Sequence, residues 1–250
     1  MILFKTDEEI SKIKKACSIL AEVKTILYDF IRPGVSLKEI DSVAFKEINK
    51  RGAKPAFLGQ YGFPATCCIS VNEELIHGIP SDYIVKDGDI VKIDCGAIYE
   101  GYYSDSAFTK GVGNISEEDK ALIACAKDAF YAGFNAIKVG KRIGDISFAI
   151  GKLIKERGFF TPDEFTGHGI GKSLHEDPYV YNDGEKNTGP LIRNNMVICI
   201  EPMILQKTKQ IKIKDDGWTV ISASGKNTAH YEQTVLIKDN KAYILSGDNI

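Results

Sequence analysis

Four acidic residues stand where strands should be apolar: Asp94 in IVKIDCG, Asp105 in YYSDSAF, Glu201 in VICIEPM and Glu232 in AHYEQTVLI. Asp and Glu are depleted in strands, and a buried carboxylate without a partner is expensive. Such residues must face solvent, pair with Lys or Arg, or bind metal. Four carboxylates carry about −4, which two divalent ions neutralise, and oxygen ligands joined by one imidazole suit Mn, Fe(II), Co or Zn. The residues alone leave a metal site and surface acids with salt bridges as alternatives.

Four histidines could supply the imidazole: His77, His168, His175 and His230. His168 and His175 share TGHGIGKSLHEDP, seven residues apart. The glycines at 167, 169 and 171 argue against a common helix face. An extended segment that lets backbone pass close to a ligand fits better. The spacing does not say which imidazole belongs with the acids.

The elements that position these residues follow a repeated order. Thr6 opens TDEE and Ser36 opens SLKE, both capping-box signatures. Apolar residues at helical spacing follow Thr6, and Pro33-Gly34 stops that helix. Strand-like segments run to about residue 112. Ser116 then opens SEED, Asp145 is expected to cap a fourth helix ending at Gly158, and strands follow again. Asp94 lies 58 residues after Ser36, and Glu201 lies 56 after Asp145. The two acids thus occupy similar places in two α/β halves and can meet where the halves pack. Asp105 suits the return strand of a hairpin with Asp94, and Glu232 the matching return strand in the second half.

The whole-chain figures allow this reading. The 250 residues are 44% hydrophobic and 26% charged, an ordinary globular composition able to bury a full core. A net charge of −2 argues against wholesale nucleic-acid binding. The N-terminus MILFKTDEEI is no signal peptide, and the chain has no apolar run of about 18 residues to span a membrane. The six cysteines form no CxxC, which rules out a thiolate site and points to the cytoplasm.

Five segments in order, NEELIHGIP, DGDIVKIDCGAIYEGYYSDSAFT, TGHGIGKSLHEDP, VICIEPM and HYEQTVLI, together resemble the methionine aminopeptidases of the pita-bread metallopeptidase fold. Only 26 residues separate His175 from Glu201, so the chain resembles the short bacterial type I form, which lacks the type II insertion. The resemblance implies an α+β fold in one catalytic domain, residues 1–250. Its halves, about 1–113 and 114–250, would form one curved, mainly antiparallel sheet covered by helices.

By the same resemblance, Asp94, Asp105, His168, Glu201 and Glu232 are ligands of two divalent ions. Asp105 and Glu232 would bridge the ions. The implied reaction is removal of an N-terminal methionine ahead of a small second residue, from peptides and nascent chains, by a metal-activated bridging water. Glu201 would relay the proton, His175 would stabilise the carbonyl oxygen, and His77 would contact the scissile amide. The methionine pocket would draw on Phe57, Gln60, Phe63, Cys68, Leu174 and Trp218. Three of these depart from the usual pattern: Gln60 stands in place of tyrosine, Leu174 of phenylalanine and Phe57 of cysteine.

Lys207, Lys209, Lys212 and Lys214 form a basic strip that either meets ribosomal RNA or guards a β-edge. The expected protein is a monomer that uses no membrane and no specific nucleic acid. Two other readings compete. An X-Pro aminopeptidase or prolidase usually carries an extra N-terminal domain. A non-catalytic relative usually loses ligands, and this chain keeps all five. The family cuts before small residues and residue 2 is Ile2, so intact-mass measurement should find Met1 retained.

Overall fold

The computed structural model describes residues 1–247. In the first half, Thr6 opens α1 (Asp7–Phe30): its side chain accepts the Glu9 N–H, and Glu9 in turn accepts the Thr6 N–H. Ser36 and Glu39 open α2 (Leu37–Lys50) in the same way. These reciprocal bonds satisfy N–H groups that a helix start leaves free. Then come β1 (Lys54–Pro55), β2 (Cys67–Val71), β3 (Glu74–Ile76), β4 (Ile90–Tyr99) and β5 (Tyr102–Gly111). The second half repeats the order. Ser116 caps α3 (Glu117–Ala136), and α4 (Ile143–Glu156) follows. Next are β6 (Thr166–Gly169), β7 (Glu176–Tyr181), β8 (Met196–Ile200) and β9 (Met203–Leu205). The last strands are β10 (Ile211–Ile213), β11 (Val220–Ser222), β12 (Thr228–His230), β13 (Glu232–Lys238) and β14 (Lys241–Ile244).

Asp145 does not cap α4. Arg142 is the N-cap, and Asp145 sits in the first turn, where its carboxylate accepts the Arg142 N–H at 2.9 Å. An acid in the first turn and an acid at the cap both satisfy free N–H groups, so the residue type alone does not separate them. Counted from the observed caps, Asp94 lies 58 residues after Ser36 and Glu201 lies 59 after Arg142. The two acids match more closely than expected.

β4 is flanked by β5 on one side and by β2 and β1 on the other. β8 is likewise flanked by β13 and by β6, with β7 outermost. Every pairing in this nine-stranded sheet is antiparallel. The halves join where β5 meets β13, through Glu232 opposite Ala107 and Gln233 opposite Ser106. β3 reaches across to β11 in a second, smaller sheet.

Two cores support the large sheet. α1 and α2 bury Leu20, Val23, Leu27 and Ile40 with Ile69, Ile93 and Cys95. α3 and α4 bury Leu122, Phe130, Ile146 and Ile150 with Ile198, Ile200 and Val235. Side chains alternate between the faces of a strand. Packing Ile93 and Cys95 on the helices therefore turns Asp94 to the opposite face, and packing Ile198 and Ile200 does the same for Cys199 and Glu201. At the seam, the fully buried Lys24 of α1 extends its ammonium to Ser106 Oγ at 2.5 Å and to the Gln233 amide.

The glycines around His168 have a different use from the one expected. A Cβ on Gly167 would stand 2.4 Å from the Cys199 carbonyl oxygen, and one on Gly169 would stand 2.1 Å from that of Asp177. They admit the neighbouring strands β8 and β7 rather than a ligand. Forcing a methyl group into such a gap costs about 1–3 kcal/mol. Gly169→Ala should lower the urea midpoint accordingly; an unchanged midpoint would show that the close approach is not held.

Candidate active site

Register brings the acids together. Asp94 pairs with Ala107, and Ala107 pairs on its other side with Glu232, so both acids lie on one rung across three strands. Asp105 lies two residues from Ala107 and therefore on the same face. One carboxylate oxygen of each of Asp94, Asp105 and Glu232 lies within 4.8 Å of the other two. From the second half, His168 Nε2 comes to 3.4 Å from Glu201 Oε1 and 3.8 Å from Asp105 Oδ2. The five residues expected as ligands form one group, buried at Asp105, His168 and Glu232 and half-buried at Asp94 and Glu201.

The electrostatics of this group call for a cation. Burial pushes Asp94 up to about 7. Burial first, and the neighbouring negative charges second, push Asp105, Glu201 and Glu232 well above the usual carboxylate range. Burial pushes His168 down to about 3, with His175 adding to the effect, so its imidazole is neutral. His168 Nδ1 lies 2.9 Å from the Gly169 carbonyl oxygen, which can only accept. The proton is therefore on Nδ1, and the Nε2 lone pair faces the acids. Asp94 Oδ1, Asp105 Oδ1 and Glu232 Oε1 are buried without a hydrogen-bond donor. Acceptor oxygens thus crowd together at one point, and this oxygen-rich set with one imidazole fits divalent ions.

Two further residues approach this group. Cys199 Sγ stands within 4.8 Å of atoms of both His168 and Glu232. Burial holds its thiol well above the ordinary value, and it lies 3.6 Å from Thr234 Oγ1; it is a protonated thiol rather than a thiolate ligand. His230 Nε2 lies 3.8 Å from Glu201 Oε2, and burial pushes it to about 3.

The acids line the floor of an open cleft. All thirteen residues expected at the site line it, and Tyr61 joins them. Phe57, Phe63, Cys68, Leu174 and Trp218 make an apolar wall, with Trp218 edge-on to Phe63 at 5.2 Å between centroids. His77 adopts φ 58°, a left-handed conformation that side chains rarely take. It packs edge-on against Phe165, and burial lowers it to about 4. His175 is also lowered by burial; its ring stands edge-on to His168, with centroids 4.5 Å apart. Tyr61, 75% exposed, lies parallel to His175 at 6.2 Å. Its position between Gly59 and Gly62 in a short turn was the available sign of a loop at the site, but not of this ring pairing.

Away from the cleft, three of the four lysines of the basic strip face acids of the same chain. Lys207 pairs with Glu118, Lys209 with Asp163 and Lys214 with Glu74. Among the described residues, no helix is long and apolar enough to cross a membrane.

The raised acids set a pH dependence for the metal-free protein. Asp94 keeps its proton to about 7 when folded but loses it near the ordinary 3.8 when unfolded. Between those values the native state binds more protons, so its stability falls as pH rises. Asp94→Asn removes this contribution. The variant's melting temperature should therefore gain on the wild type from about pH 4 to about pH 7; a constant difference would contradict the raised value.

The comparisons with known proteins agree with this geometry. The model of metallopeptidase family M24 matches residues 11–239. A methionine aminopeptidase of Clostridium perfringens is 47% identical over 246 residues, covering 98% of this chain and 99% of that protein. The crystal structure of a methionine aminopeptidase from Thermotoga maritima has a TM-score of 0.97 at 38% identity, over 98% of this chain and 99% of that one. A prolidase from Pyrococcus furiosus has a TM-score of 0.81 at 29% identity, over 98% of this chain but 65% of that one. With an acid-floored cleft on the same pita-bread sheet, the chain belongs to metallopeptidase family M24, among its methionine aminopeptidases.

Proposed function

We propose that this protein removes the N-terminal methionine from peptides and nascent chains whose second residue is small, using two divalent ions. The observation that carries this reading is the group of buried, donorless carboxylate oxygens at the floor of an apolar cleft. Asp94, Asp105, His168, Glu201 and Glu232 would hold the ions, drawn from Mn, Fe(II), Co or Zn. Ions bound there supply a water acidified to near neutral pH and polarise the peptide carbonyl.

The chain's own groups do the rest. Glu201 takes the proton of the attacking water and returns it to the leaving amine. His175, neutral at the rim of the cleft, donates its N–H to the oxygen where charge develops. His77 orients the scissile amide from its fixed left-handed position. Phe57, Gln60, Phe63, Cys68, Leu174 and Trp218 receive the methionine side chain, whose thioether suits an adaptable apolar wall.

We place the reaction in the cytoplasm, where the six free, buried cysteines would stay reduced. A ribosomal contact through the lysine strip would have to break three ion pairs within the chain. The prolidase reading has less support, because that likeness leaves much of the prolidase unmatched.

Metal-stripped protein reloaded with Mn, Fe(II), Co or Zn should hydrolyse Met-Ala-Ser and leave X-Pro peptides intact; the opposite preference would overturn the assignment. His175→Ala should lower kcat by about 10²–10³ with metal content intact, whereas His168→Ala should lose metal. Equal metal loss in both variants would contradict the division of roles.

A further inference from the structure

The segment ahead of α1 crosses to the turn that carries His175. The Lys5 N–H donates to the Asn195 carbonyl at 2.8 Å. The Lys5 ammonium forms an ion pair with the Glu176 carboxylate, and only 5% and 8% of the two side chains is exposed. The other Glu176 oxygen accepts the Ser173 N–H at 3.1 Å. Space there is fully used: a Cβ on Gly171 would stand 2.5 Å from Lys5 Nζ and 2.8 Å from Glu176 Oε1. At the other end of the turn, the Gly171 carbonyl accepts the Tyr103 N–H of β5 at 2.8 Å. Residues 171–176 are thus held at both ends, by β5 and by Lys5, with Leu174 and His175 between.

We infer that Lys5 and Glu176 are positioning residues for His175, and that the N-terminal segment is part of the catalytic apparatus. A buried ion pair with directed hydrogen bonds fixes one geometry where an apolar contact would tolerate several. This one immediately follows the imidazole, whose edge-on stance over His168 aims it at the substrate side of the acids. The inference rests on the role proposed for His175.

Lys5→Met should lower kcat for Met-Ala-Ser by about tenfold to 10²-fold, as small misplacements of a catalytic group do, with KM and metal content unchanged. Lys5→Arg keeps the charge and should recover most of the loss. Glu176→Gln keeps an acceptor for Ser173 and removes only the charge. It should show a similar loss, with the double variant no worse than either single one; it also serves as the test if Lys5→Met does not fold. A merely structural pair would lower the melting temperature and leave kcat of the folded variants at the wild-type value, which would overturn the inference. Wild-type kcat in His175→Ala would overturn the role of His175 as well. A large loss in His175→Ala beside wild-type kcat in the Lys5 and Glu176 variants would overturn the positioning alone.

Discussion

Four carboxylates are held together where water barely reaches, and much of the molecule serves to keep them there. Removing an ionised group from water costs several kcal/mol even after relaxation, so a flexible chain would swing such groups outward. Here it cannot. Asp94 stands between Ile93 and Cys95, which are fixed in the α1–α2 core, and Glu201 follows Ile198 and Ile200 in the α3–α4 core. Rotating either acid toward solvent would drag apolar neighbours out of their packing. The strain instead appears as raised proton affinity, which a proton or a cation relieves.

The site depends on both halves, which meet in the large sheet at β5 and β13 and again where β3 pairs with β11. β5 and β13 share the backbone pairs Glu232–Ala107 and Gln233–Ser106, and Thr234 and Thr109 hydroxyls extend the join to Asp105 and His230. The same short stretch places Glu232 on the rung of Asp94, and Lys24 reaches Ser106 and Gln233. One half supplies Asp94 and Asp105; the other supplies His168, Glu201 and Glu232. Neither half alone assembles the donor set, so loss of the seam would remove the site before it removed either core.

What the sequence made legible was the part fixed by local rules. Thr6, Ser36 and Ser116 announced three helix starts through bonds made within three residues. The acids betrayed themselves by sitting in otherwise β-favouring runs. Asp145 misled because a first-turn acid and a cap both accept free N–H groups at a helix start, so residue type alone does not tell them apart. The glycines beside His168 were seen, but their neighbours, the carbonyls of Cys199 and Asp177, belong to other strands. Tyr61, Cys199 and His230 reach the site only through tertiary packing, and Lys5 meets Glu176 across 171 residues. No periodicity or spacing encodes such meetings.

The character of the cleft also bears on why the acids are tolerated. A module that only bound an apolar side chain would gain nothing from donorless oxygens beneath the wall of Phe57, Phe63, Leu174 and Trp218. Apolar residues of similar volume would hold that floor more stably. His168 sharpens the point: its proton is committed to the Gly169 carbonyl, so it brings the acids a lone pair instead of relief. Three histidines line the same cleft, His168 buried, His77 half-buried and His175 exposed, although protonating them would have supplied the missing charge. Loss of hydration at the cleft lowers the proton affinity of all three, most of all the buried His168, and leaves the charge balance to a bound cation. A floor that lowers the stability of the empty protein, beside imidazoles barred from compensating it, is consistent with chemistry rather than with binding alone.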